Sequence, residues 1–252
     1  MSEPIIRVGI GGWTYPPWRG TFYPPGLAQS KELAFAARTF GAIEINATFY
    51  GRQSPNSWAA WAAAVPEGFQ FAVKGSRFCV TRPRLADAGE GIANFFAQGL
   101  SALGAKLGPI LWMLAARRQF DRDDIAAFLD LLPAELDGNP LRHVIEPRHD
   151  SFRDERFFGL CRDRDVAIVF GDDDDFPCID ADTASFAYAR LQRMRETLPN
   201  GYDAAALDAF ARRAAAWRKA GRDGYLFMIN GAKIRAPAAA LALSRRLAGE
   251  AV

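Results

Sequence analysis

Histidine, cysteine and any excess of charge are scarce in this sequence. Two histidines, His143 and His149, leave little for a His-rich metal site. The three cysteines, Cys79, Cys161 and Cys178, are odd in number and widely spaced with no C-x-x-C pair. That fits neither a disulfide framework nor a zinc finger and implies a reducing compartment. The formal net charge is only +2, so charge alone points to neither nucleic acid nor a membrane surface. No apolar run reaches the ~18 residues of a membrane span, so no membrane partner is expected. The opening carries Glu3 and a short apolar run over residues 4–10 interrupted by Arg7, which predicts no signal peptide and a cytoplasmic protein. A full glycine-rich phosphate turn is also missing. Gly9-Ile10-Gly11-Gly12-Trp13-Thr14 has the first two glycines of G-x-G-x-x-G and Thr14 where the last belongs, which counts against a doubly wound open sheet.

What is present is an alternating pattern in 252 residues, half of them apolar, enough for one sizeable core. Apolar runs predict strands at 5–11, 42–45, 69–73, 109–114, 142–146, 166–170, 186–191 and 225–229. Between them, helical spacing starts near Ser30 with Leu33, Phe35, Ala36 and Phe40. Further helices are expected from the Ser54-Pro55 start, over 92–103, from Asp121 to 132, from Asp154, from Asp203 to 220, and over 236–247. Residues 172–184 break the pattern: four aspartates, then Pro177, with no helical period, so the sixth crossover is expected to lack a regular helix. Eight strands with helices between nearly all of them predict a single α/β domain over residues 1–252, a (β/α)₈ TIM-type barrel.

Ligands of such barrels bind at the carboxyl ends of the strands. Those ends supply Trp13 and Tyr15, Glu44 and Asn46, Lys74, then Glu146, Arg148 and His149, then Asp172, Arg190 and Asn230. The stretch L-R-H-V-I-E-P-R-H-D-S-F at 141–152 is the densest of these, a short apolar run ending in an acid, a fixed turn, a guanidinium and an imidazole. Glu146 and Arg148 read either as a carboxylate for proton transfer beside a fork for an anion, or as a structural salt bridge. Lys74, following F-x-F-A-V, would occupy a crowded, partly dry mouth that lowers its pKa. It reads as an anion holder, a base or a Schiff-base amine, or as a structural partner of Glu44 or Glu146. Glu44 and Asn46 share a strand face, with structural hydrogen bonding as the rival role. His149 reads as a general base or a loop residue, and His143 as structural or exposed. Asp172 heads a run that reads mainly as a solvated loop. Trp13 and Tyr15, with Trp18, Phe22 and Tyr23, read as the wall of a ring-binding pocket or as a loop packed on itself.

Six segments together carry a family resemblance. V-G-I-G-G-W-T-Y-P-P-W-R-G-T-F-Y-P, I-E-I-N-A-T-F-Y, F-A-V-K, L-G-P-I-L, I-E-P-R-H-D-S-F and Y-A-R-L are similar, in order and spacing, to the motifs of the domain of unknown function 72 family. The resemblance implies a TIM-type barrel and no particular reaction. This chain departs from the family pattern where a glutamine and two prolines would stand, at Met113, Ala115 and Ala116. Further departures are Gln192-Arg193 for His-Gly, Thr81-Arg82 for Thr-His, and Ile229 for asparagine.

With a lysine and arginines opposing a bound cation, no metal and no cofactor are expected. The favoured reading is a metal-independent enzyme, a hydrolase or lyase, acting on a small phosphorylated or carboxylated substrate. Its catalytic candidates are Lys74, Glu146, His149 and Glu44; its substrate-binding candidates are Arg148, Asn46, Arg190, Asn230, Trp13 and Tyr15. The alternatives are a non-catalytic module for phosphate or a nucleic-acid backbone, or a metal-dependent phosphodiesterase resembling the endonuclease IV type of barrel.

Overall fold

The computed structural model describes residues 3–249. Eight strand positions run parallel around a barrel: β1 Ile6–Gly11, β2 Ala42–Ile45, β3 Gln70–Lys74, β4 Leu107–Met113, β5 His143–Glu146, β6 in two pieces, β7 Phe186–Leu191 and β8 Asp223–Met228. The pieces of β6 are Ala167–Ile168, which pairs with β5, and Phe170–Asp172, which pairs with β7. The hydrogen-bonded order therefore begins and ends on the same stretch of chain, and the ring closes across Val169, whose N–H donates to the Ile145 carbonyl at 3.0 Å. β1 pairs with both β2 and β8, which joins the two ends of the sequence.

Helices cover the strands as the spacing predicts: Glu32–Thr39, Pro55–Ala64, Gly89–Phe96, Arg122–Asp130, Glu155–Arg162, Ala204–Lys219 and Ala236–Leu247. Four begin on side-chain caps visible in the sequence, Ser54, Asp121, Asp154 and Asp203, each accepting from a backbone N–H of the first turn. The stretch between β6 and β7 has no helix. One expected helix, 92–103, is corrected: the α-helix ends at Phe96, and Gly99 at φ 106° turns the chain into a 3₁₀ segment, Leu100–Lys106. Apolar periodicity continues through the break because Leu100 and Leu103 are still buried. Among the described residues, no helix is long and apolar enough to cross a membrane.

The strands alternate, and that alternation builds the site. An inner cluster fills the barrel with Ala42, Ala72, Leu111, Val144, Tyr188 and Phe227, the small residues of β2 and β3 facing the aromatics of β7 and β8. Gly9 belongs to the same level, since a β-carbon there would overlap the Ala42 carbonyl oxygen. Side chains repeat every second residue along a strand. The next level toward the carboxyl ends is therefore Gly11, Glu44, Lys74, Met113, Glu146, Arg190 and Ile229. An apolar floor thus lies directly beneath a charged layer.

Candidate functional site

Arg190 ties that layer together while buried to 1% exposure. Its Nη1 donates to Glu146 Oε2 at 2.7 Å, its Nε to Glu44 Oε2 at 3.2 Å and its Nη2 to Glu44 Oε1 at 3.2 Å. Tyr188, one level below, donates its hydroxyl to Glu44 Oε2 at 2.7 Å. Arg148 donates from Nη2 to the remaining oxygen of Glu146 at 3.1 Å, and its guanidinium lies 4.3 Å from the ring centre of Phe176 in the helix-free crossover. Every oxygen of the two carboxylates is thereby occupied. Burial opposes ionisation of Glu146, but Arg190, Arg148 and Lys74 outweigh it and hold its pKa below 4.5. In Arg190 burial opposes the charge too, and Glu146 and Glu44 overcome it.

Lys74 is placed differently. It is 5% exposed, and its backbone is fixed by the Thr48 hydroxyl, which donates to the Lys74 carbonyl at 2.6 Å. Among the described residues its Nζ donates no hydrogen bond and joins no ion pair. Its near neighbour is the face of Phe49, 4.4 Å away. Burial and then the charge of Arg190 pull its pKa from 10.5 down to about 8, against a smaller upward pull from Glu44 and Glu146.

The amine opens into a cavity of about 510 Å³ at the carboxyl ends of the strands. Trp13, Asn46, Arg148, Arg190 and Asn230 line it with Lys74, while Met113, Met228 and Ile229 give it an apolar side. Trp13 is held edge-on by Trp61 at 5.1 Å, and Asn230, at φ 59°, donates to Gln192 Oε1 at 2.7 Å. Gly11 keeps the wall thin, since a β-carbon there would crowd Ile229 and Asn46.

Glu44 and Glu146 stand in the charged layer without lining the cavity, and two expected residues stay outside both. His149 points into its own turn, where Nδ1 accepts from the Ser151 backbone at 3.2 Å and meets the Ser151 hydroxyl at 2.9 Å. Tyr15 packs on Trp18 at 5.3 Å and does not line the cavity. Both follow their strands closely in sequence, but the chain has already turned away. Asp172 is buried as an acceptor for Arg193 and Tyr202. His143 is buried and neutral, its pKa lowered by burial to about 4; Trp112 donates to its Nδ1, which leaves Nε2 to donate to the Pro133 carbonyl at 2.7 Å.

Sequence reasoning missed Lys233. It lines the same cavity from a 3₁₀ turn, Lys233–Arg235, beyond β8, and no carboxylate pairs with it among the described residues. Trp18 Nε1 donates to its carbonyl at 2.9 Å, and its Nζ lies 5.0 Å from the ring centre of Tyr15. Burial lowers its pKa as well. The available signal was the turn Asn230-Gly231, which ends β8 and aims the following residues back over the barrel mouth. Among the described residues, no three His, Cys, Asp or Glu side chains converge as metal ligands would.

Similarity to known proteins agrees with this architecture. A DUF72 family protein from Thermotoga maritima superposes with a TM-score of 0.79 at 19% identity, covering 97% of this chain and 99% of that one. One from Enterococcus faecalis gives 0.74 at 14% identity over the full length of both. A xylose isomerase-like TIM barrel fused to a 4-hydroxyphenylpyruvate dioxygenase gives 0.54 at 16% identity, with this chain spanning 44% of it. These likenesses concern the fold. The UPF0759 protein YunF of Bacillus subtilis is 34% identical over 70 residues, which is 28% of this chain and about a quarter of that protein. The family model described as protein of unknown function DUF72 matches residues 7–252, and the chain belongs to that family.

Proposed function

We propose that the chain acts as a single barrel domain and is a metal-independent enzyme that carries out proton transfer on a small substrate bearing a phosphate or carboxylate. One observation carries this reading: Lys74 is a buried amine that opens into the cavity with no acceptor of its own among the described residues, while each carboxylate beside it is already committed. A buried ammonium without a partner is costly, and an anionic ligand removes the cost. Lys74 and Lys233 hold the anionic group, with Arg148 at the rim. With the anion bound Lys74 stays protonated and serves as the proton donor of the transfer. Glu44, Glu146 and Arg190 act as positioning residues that fix the field around the amine. His149 has no part in this scheme.

The same occupancy of carboxylate oxygens disfavours a metal-dependent phosphodiesterase built on Glu44 and Glu146. Isothermal titration with a panel of sugar phosphates and small carboxylates tests the reading. Binding is expected to need Lys74 and to weaken as pH rises through about 8, because only the protonated amine attracts an anion. Binding unaffected by Lys74→Met, or equally strong at pH 7 and pH 9.5, contradicts it.

A further inference from the structure

Beyond the small-ligand cavity, we infer that the barrel mouth carries a track for a single-stranded nucleic acid. Two smaller hollows lie beside the cavity across the loops after β2, β3 and β4. The first, about 290 Å³, starts at Gly51 and Arg52, next to Tyr50 of the cavity wall, and reaches Phe78 and Arg82. The second, about 220 Å³, shares Arg82 and ends at Arg117 and Gln119. The two hollows therefore form one path over neighbouring strand ends, which begins beside the cavity and does not include Lys74.

Two features of this path select the ligand. First, its lining carries guanidinium groups without a carboxylate partner: among the described residues, Arg52, Arg82 and Arg117 form no ion pair. Glu90 is the one carboxylate lining the first hollow, and the second has none. Arg118 is paired with Asp124 and holds the carbonyls of Arg82 and Pro83, which fixes the loop presenting Arg82.

Second, the path exposes aromatic rings. Three large apolar side chains are strongly exposed among the described residues, and two of them, Tyr50 at 66% and Phe78 at 61%, border it. Arg77 lies 5.3 Å from the Phe78 ring centre. Guanidinium groups interspersed with exposed rings match phosphates alternating with unstacked bases. Inorganic polyphosphate or an acidic peptide would use the arginines and leave the rings idle. A duplex would hide its base faces.

The test is fluorescence anisotropy of a labelled 12-nucleotide oligothymidylate at 50 to 200 mM salt, with the full-length protein. Binding is expected to weaken with salt. The combined Arg52→Gln, Arg82→Gln and Arg117→Gln protein should show a log–log salt slope shallower by about 2, since each phosphate contact on a single strand contributes roughly 0.7. Phe78→Ala should weaken binding on the order of tenfold with the slope unchanged, as a lost stacking contact does. Thermal melting of the variants checks that they remain folded. Absence of oligonucleotide binding at 50 mM salt, an unchanged slope in the triple variant, or polyphosphate and duplex competing as well as the single strand would each overturn the inference. Lys74→Met separates the two readings. It should abolish small-anion binding in the cavity and leave oligonucleotide affinity within a few fold, so either reading can fail without the other.

Discussion

Arg190 and Lys74 differ in one respect that sets their roles: one has spent its charge and the other has not. Arg190 is a buried cation between two buried carboxylates, an arrangement whose assembly gains little net stability but whose disruption costs much. Arg190→Met is expected to leave Glu44 and Glu146 without their shared partner and to lower unfolding free energy by roughly 3–5 kcal/mol, measured by urea denaturation. A loss under about 1 kcal/mol, the range of exposed pairs, would show that the three groups are not coupled as described. The pH dependence follows from the direction of each shift. Glu146 has its folded pKa depressed, so its contribution is present above 4.5 and is lost as pH falls below that value. The Lys74 pKa is lowered to about 8, so the folded state sheds this proton before the unfolded chain does. Between about 8 and 10.5 its effect is therefore a rise in stability with pH.

At the scale of the strand, alternation decides what reaches the cavity. Gly75 follows Lys74 and faces outward, where a β-carbon would overlap the Trp112 ring. Gly75→Ala is expected to push β3 away from β4, cost about 1–3 kcal/mol and displace Lys74, which a combined urea and anion-binding measurement would detect. Wild-type stability and affinity would mean that the ring yields without moving the strand. The period-two pattern also explains how much was legible beforehand. Eight apolar runs, four helix caps and the Asp-rich gap that starts at Asp172 and holds Pro177 were readable because each is a local signal. Applied across strands, the same rule would have put Tyr188 and Arg190 on one face and Arg190 level with Glu44. What it does not contain is which arginine reaches which carboxylate, because that depends on β7 facing β2 across the barrel. His149 and Tyr15 were misplaced for the opposite reason: they lie past the strand ends, where alternation no longer governs direction. Lys233 was overlooked because a 3₁₀ turn has no periodicity to read.

Over the whole molecule, closure and charge distribution matter more than composition. Because the ring of hydrogen bonds closes across β6, opening any one strand position exposes both of its neighbours. A single barrel domain predicts that intrinsic tryptophan fluorescence and far-ultraviolet circular dichroism report coincident unfolding transitions in urea. Transitions separated by more than the fitting error would show two independently unfolding parts. The formal charge of +2 conceals local differences: six aspartates lie in residues 172–184, while Arg52, Arg82 and Arg117, which form no ion pair among the described residues, follow β2 to β4. Near neutrality of the total is thus compatible with a strongly basic mouth.

Whether Lys74 awaits an anionic ligand is decided by its own titration. Heteronuclear NMR of ¹³C-lysine-labelled protein, with the resonance assigned by its loss in Lys74→Met, should give a pKa of about 8 in the free protein and a higher one with a bound phosphate or carboxylate ligand. A value near 10.5 that no anion shifts would mean that the amine is neither desolvated nor aimed at a ligand, and the proposed chemistry would fall with it.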